Sequence, residues 1–244
     1  MTAARDRLAA RLRPFGRARR FGTAAVLLAG LALAACGEGN GDGAATASVA
    51  GGGDANPAMA VTHPLGDITL GDPEAPVTLV EYASFTCGHC AAFHTQNLPR
   101  LKTDYIDTGK VYYVFREYPL DPVATAASML TRCIAPDRYL QFADILFQRQ
   151  AQWAFGPDPR GALETIARQG GVGSAQFEAC LTDQALLDGL REGQQYAMEE
   201  LGIVATPTLF INSDKIDGNL PWTELEALIT KHLPAHGESA DQDS

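Results

Sequence analysis

Two cysteines separated by two residues, Cys87-Gly88-His89-Cys90, follow directly on Val77-Thr78-Leu79-Val80-Glu81-Tyr82-Ala83. That run is β-branched and apolar enough for a buried central strand. From His89 to about Tyr105 the pattern turns helical, with Phe93, Leu98, Leu101 and Tyr105 on one face and Pro99 set to kink it. The thiols therefore fall where a strand hands over to a helix, so the fold must be α/β at this point. A cysteine at a helix N-terminus has its thiolate stabilised by unpaired N–H groups and the helix dipole. Cys87 is the expected nucleophile and Cys90, one turn further in, the resolving thiol. Haem attachment needs His directly after the second cysteine, where Ala91 stands. A zinc site would need Cys133 and Cys180, which form no second close pair. A redox pair without metal or bound cofactor is the expectation.

The remaining elements follow from the same kind of pattern. Asp67–Asp72 reads as a short edge strand and turn, and Lys110–Tyr118 as a second buried strand. From Asp121 to about Leu201 no strand pattern occurs. Breaks at Ala135-Pro136, Gly156-Pro157-Asp158-Pro159, Gly170-Gly171-Val172-Gly173 and near Thr182 divide this block into four or five helices. Strands return at Thr208–Asn212 and Lys215–Asp217, and an amphipathic helix begins at Pro221. Trp153, Phe147, Phe155 and Phe177 are expected in the core rather than around a cofactor.

The ends differ in kind. Residues 1–35 hold seven Arg and one Asp, then an apolar run, Ala24 to Ala35, too short to span a bilayer. It reads as an export signal. Without it the net charge of −10 becomes −16, from 12 basic and 28 acidic residues, which disfavours nucleic acid as a partner. Leu33-Ala34-Ala35-Cys36 resembles the lipobox of bacterial lipoproteins, which implies cleavage before Cys36 and lipidation of its sulfur. An ordinary signal peptide with a cysteine at the cut is the alternative. Residues 36–61 are rich in Gly, Ala, Asn and Asp with little to bury, and are expected to form a flexible tether of roughly 25–30 Å. The folded domain is expected over 62–234, with its helical insertion at about 121–203 and a disordered acidic tail at 235–244.

Strand, strand, CxxC helix, strand, a helical block, then two strands and a helix resembles the thioredoxin fold with the inserted all-helical subdomain of DsbA-type thiol:disulfide oxidoreductases. The resemblance spans about Asp67 to Leu233. It implies a cis Pro207 facing the thiols and a Thr206 that offers its backbone to an extended substrate. It also implies an acidic residue at Glu81, where a buried carboxylate, costly without a purpose, would exchange a proton with Cys90. By strand alternation alone, an outward-facing Glu81 stays open. His89 is expected to stabilise the nearby thiolate, and Gly88-His89 to set a potential of about −120 to −230 mV. In an oxidising compartment Cys133 and Cys180 are expected to form a structural disulfide, worth about 4 kcal/mol in the chain-entropy model, a second redox pair being the alternative.

The functional expectation is a lipid-anchored, periplasm-facing, monomeric oxidase of cysteine-containing exported proteins, reoxidised by a quinone-linked membrane partner. Isomerase or reductase activity remains open, as does a non-catalytic peptide-binding lipoprotein with an inert disulfide.

Overall fold

Strand β2 (Val77–Ala83) is buried along almost its whole length, because both of its edges are paired and both of its faces are covered. A computed structural model describes residues 56–234. The export signal at 1–35, Cys36, the tether up to residue 55 and the tail at 235–244 lie outside the described residues. In the five-stranded sheet, β1 (Ile68–Leu70), β3 (Val111–Glu117), β2, β4 (Thr208–Ile211) and β5 (Asp214–Asp217) are neighbours in that order. β2 and β3 run parallel, with Glu81 opposite Phe115, while the other pairs are antiparallel. A parallel pair needs a crossover, and the segment after the cysteines supplies it.

That crossover begins as α1 (Gly88–Ala92), widens into a π-helical turn (Phe93–Asn97), continues as α2 (Leu98–Leu101) and widens again over Lys102–Ile106. Proline has no N–H to give to a helical ladder. Pro99 is met by the first widening, in which the Leu98 N–H donates to the Phe93 carbonyl.

Between β3 and β4 stand α3 (Pro122–Arg132), α4 (Tyr139–Gln148), α5 (Gln150–Trp153), α6 (Pro159–Gln169), α7 (Ser174–Leu181) and α8 (Gln184–Glu199). Asp121, Asp158 and Asp183 cap α3, α6 and α8 by accepting N–H bonds in their first turns, and Pro122 and Pro159 start two of them. A disulfide joins Cys133, at the end of α3, to Cys180 in α7, with Cα atoms 6.0 Å apart. Helix α9 (Trp222–His232) closes the chain. Trp153, Phe147 and Phe177 are buried. Phe155, expected in the core, is 66% exposed in the turn between α5 and α6.

The start of the domain also departs from expectation. Asn56–Val61 is built into the fold rather than belonging to the tether. Arg116, buried on β3, donates through Nη1 to the Ala58 carbonyl at 2.5 Å and the Tyr82 hydroxyl at 2.8 Å. Through Nη2 it reaches the Val61 carbonyl at 2.8 Å, and with Nε it forks onto Asp67. A buried guanidinium must place its donors, and backbone carbonyls of a segment with little apolar surface satisfy them.

Candidate active site

Cys87 occupies the N-cap of α1 in an extended conformation (φ −82°, ψ 122°), and its side chain caps nothing. The first N–H groups of the helix are thus left for the sulfur. The cis Thr206–Pro207 peptide lies opposite, and the Cys87 thiol donates to the Thr206 carbonyl at 3.1 Å. A hydrogen bond from the Cys90 thiol contributes most to lowering the Cys87 pKa, which falls to about 5 against the opposing cost of burial. The Thr206 side chain and the backbone N–H groups of Cys90 and His89 add to the lowering. Thr206 Oγ1 is buried without another partner, so its hydroxyl is free to donate to a thiolate.

Cys90 behaves in the opposite sense. Burial raises its pKa well above the ordinary thiol value, and the hydrogen bond it gives to Cys87 and the charge of Glu81 push the same way. At neutral pH the pair therefore holds one half-exposed thiolate and one buried thiol.

Glu81 is fully buried on β2. Its Oε2 accepts from the Tyr113 hydroxyl at 2.5 Å and lies 3.2 Å from His94 Nε2, while Oε1 has no partner. His94, in the π-helical turn after α1, has its Nδ1 2.9 Å from Asp144 Oδ1 on α4. Burial disfavours the charged ring, but Glu81 and then Asp144 outweigh it and raise the His94 pKa to about 9. Burial likewise holds the Tyr113 phenol well above its usual value, with the Glu81 charge adding to it.

The loop before the helix is fixed from the helical block. Gln150 donates to the carbonyls of Phe85 and Cys87, both at 2.9 Å. Thr86 donates to Asp121 at 2.5 Å, and the Leu120 N–H donates to Ser84 Oγ at 3.3 Å.

Of the residues singled out in the sequence, Cys87, Cys90, Glu81, Thr206 and Pro207 are brought to one place. The His89 imidazole is exposed and hydrogen-bonds nothing among the described residues, so its backbone N–H is what faces the sulfur. Cys133 and Cys180 are bonded to each other in the helical block. His94, Asp144, Tyr113 and Gln150 were missed. His94 did carry a signal, lying four residues after Cys90 on the same helical face. Among the described residues, no cluster of three or more His, Cys, Asp or Glu is arranged to hold a metal.

A nucleophilic thiol at a helix start, a buried thiol behind it and a cis-proline loop across from them define a dithiol protein of the thioredoxin fold. The family model described as Thioredoxin matches residues 64–231. A Rickettsia felis protein named for protein-disulfide oxidoreductase activity is 32% identical over 175 residues, covering 71% of this chain and 63% of that protein. The chain thus spans a little under two thirds of the length of such relatives. The crystal structure of Wolbachia pipientis alpha-DsbA1 is similar with a TM-score of 0.63 and 34% identity, over 68% of this chain and 89% of that one. Oxidised BdbD of Bacillus subtilis shares the fold at a TM-score of 0.58 and 22% identity, over 68% of this chain and 92% of its own. The chain belongs to the thioredoxin superfamily, as a member of the DsbA family of thiol:disulfide oxidoreductases.

Proposed function

We propose that this protein catalyses thiol–disulfide exchange in the oxidising direction, taking two electrons from pairs of cysteines in exported proteins. The observation that carries this reading is the opposed behaviour of the two thiols, a stabilised thiolate at Cys87 and a buried thiol at Cys90. A stabilised thiolate favours the reduced pair, which makes the Cys87–Cys90 disulfide oxidising. A substrate thiolate attacks Cys87 Sγ, the exposed sulfur, and the bond to Cys90 breaks. Cys90 leaves as a thiolate and takes a proton from solvent, relayed through Glu81. A second substrate thiolate then attacks the substrate sulfur of the mixed disulfide, and Cys87 departs as its stable thiolate. The substrate gains a disulfide and the enzyme holds the two electrons. Thr206 would line up the extended substrate beside Cys87.

On the same reading the protein works as a monomer in the bacterial envelope. A lipid on Cys36 anchors it, and a quinone-linked membrane protein reoxidises it. The lipobox-like Leu33-Ala34-Ala35-Cys36 supports the anchor. Among the described residues no helix is long and apolar enough to cross a membrane.

The test is oxidation of a reduced two-cysteine peptide by the purified, oxidised protein, which Cys87→Ala should abolish. An equal rate in the variant rejects the assignment. Equilibration with glutathione separates an exchange-active pair from an inert one: a potential of about −120 to −230 mV supports an oxidase or isomerase, and one below about −300 mV an inert structural disulfide.

A further inference from the structure

We propose that His94 is a positioning residue whose cationic ring keeps Glu81 ionised, and so available to take the proton of Cys90 when the reduced pair is reoxidised. The proposal rests on the exchange reaction above. A buried carboxylate with no cation beside it binds a proton and ceases to be a base. Among the described residues, His94 is the one cationic side chain within ion-pair distance of Glu81. The His94 ring is fully buried, stacked on Phe147 with centroids 4.1 Å apart and met edge-on by Phe93 and Phe115. Such a site has no reason to hold an imidazole for packing alone, because its nitrogens would each need a partner. Both nitrogens face carboxylates instead. Nε2 lies 3.2 Å from Glu81 Oε2, an ionic contact off the hydrogen-bonding direction, and Nδ1 is hydrogen-bonded to Asp144 at 2.9 Å.

The titratable groups at the ring are Glu81 from β2 and Asp144 from α4; Tyr113 from β3 is bonded to the same Glu81 oxygen, and Cys90 from α1 feels the Glu81 charge. Tyr113 stays neutral over the working range, its phenol being held well above its usual value. Asp144 is 39% exposed at its side chain, so it offers the ring a second negative charge from the solvent side. Two carboxylates on one imidazole keep the ring protonated at neutral pH, in line with its pKa of about 9. Glu81 Oε1, buried and unpartnered, is the oxygen left to accept a proton.

The step assisted is resolution of a mixed disulfide at Cys87. With glutathione disulfide as oxidant, the Cys87 thiolate displaces one glutathione thiolate and retains the other as an adduct. Glu81 takes the Cys90 proton, and the Cys90 thiolate attacks Cys87 Sγ. The Cys87–Cys90 bond forms, the bond to glutathione breaks, and the leaving thiolate is protonated from solvent as Glu81 returns its proton. One disulfide is reduced to two thiols and the protein dithiol becomes a disulfide.

The experiment mixes the reduced full-length protein with glutathione disulfide, quenches in acid at intervals, and follows the adduct by mass spectrometry from pH 5 to 9. In the wild type the adduct should stay a minor transient at neutral pH. In His94→Gln it should form at the wild-type rate but accumulate. Its resolution should recover only at higher pH, the midpoint moving up by at least about one unit as the Cys90 proton loses its acceptor. His94→Lys, which returns the cation, should bring resolution back toward wild type. Should His94→Gln fail to fold, Asp144→Asn gives the same reading from the solvent side, with a smaller shift in the same direction. An unchanged pH profile in the folded variant, beside a normal wild type, overturns this proposal alone. A wild type whose Cys87–Cys90 pair glutathione disulfide does not oxidise overturns the exchange reading itself.

Discussion

Acidification separates Cys87 from an ordinary thiol more sharply than any measurement at pH 7. With a pKa of about 5, Cys87 is almost wholly thiolate from pH 6 to 8. An unperturbed cysteine, at about 8.5, loses close to tenfold of its thiolate per pH unit over that range. At pH 7 the larger thiolate fraction is worth roughly 30-fold. Intrinsic nucleophilicity, however, falls by about 0.4–0.5 log units per unit of pKa, or roughly 40-fold across this gap. The two effects cancel, so rates at pH 7 should be nearly equal. At pH 5 Cys87 keeps half its thiolate while the ordinary thiol keeps about one part in 3,000, and the surviving advantage is roughly 40-fold. The assay is the initial reaction of the reduced protein with a neutral disulfide such as hydroxyethyl disulfide, from pH 4 to 8, against a cysteine peptide. The expected profile is flat above pH 6 with half its plateau near pH 5. Cys90→Ala, which deletes the largest contribution, should move the midpoint up further than Thr206→Val. A wild-type rate still climbing through pH 8 would mean that Cys87 titrates as an ordinary thiol. Stability follows the same sign: the folded pKa lies below the unfolded one, so the thiolate's contribution to the reduced protein is fully present above the unfolded value and lost as pH falls through about 5.

Replacing Glu81 with Ala strands a buried imidazolium and the Tyr113 hydroxyl, and should lower the unfolding free energy by about 3–5 kcal/mol in guanidinium titrations. His94, raised from 6.5 to about 9 in the folded protein, contributes stability that is complete below about pH 6.5 and lost as pH rises through 9; denaturation midpoints should show this decline, and His94→Gln should flatten it. Opening the Cys133–Cys180 bridge, which closes a loop with a sequence separation of 47, should remove about 4 kcal/mol as measured for the double Cys→Ser protein, with the Cys87 pH profile unchanged. A chain beginning at Thr62 loses the Ala58 and Val61 carbonyls that receive Arg116, and should unfold about 1–3 kcal/mol more easily than one beginning at Asn56. A difference within about 0.3 kcal/mol would mean those bonds are replaced by water.

Local signals carried most of the fold. β-branched runs located β2 and β3, Pro and Gly punctuation located the breaks between helices, and the order of elements fixed where the insertion falls. Glu81 was legible because a carboxylate in an apolar run is an anomaly that needs a cause. Its partners were not equally legible. Asp144 is on α4, 50 residues from the ring it binds, and Gln150 reaches Phe85 from 65 residues away. No spacing rule links positions brought together by packing alone. The segment Asn56–Val61 misled for the same reason, since what holds it is a guanidinium on β3 and not any apolar surface of its own. Phe155 misled differently: an apolar side chain is often left at the surface, so its type alone could not place it in the core.

The hydrogen bond from Cys90 to Cys87 joins the two halves of the chemistry, because it acts on both thiols at once. It is the largest influence lowering Cys87 and second only to burial in raising Cys90. A stronger bond makes the disulfide more oxidising and Cys87 a better leaving group, which favours delivery of disulfides to substrates. The same bond holds the proton on Cys90 that must leave before the pair can close again. Oxidising power and ease of reoxidation are therefore opposed within the cysteine pair itself. The remedy has to come from a base outside it, and Glu81 is the buried carboxylate whose charge Cys90 feels. A carboxylate in a dry core keeps its charge only against a cation, which His94 supplies from the face of the helix that also carries Cys90. On this reading a substitution at His94 slows the return of the enzyme to its oxidised form while leaving the attack at Cys87 untouched.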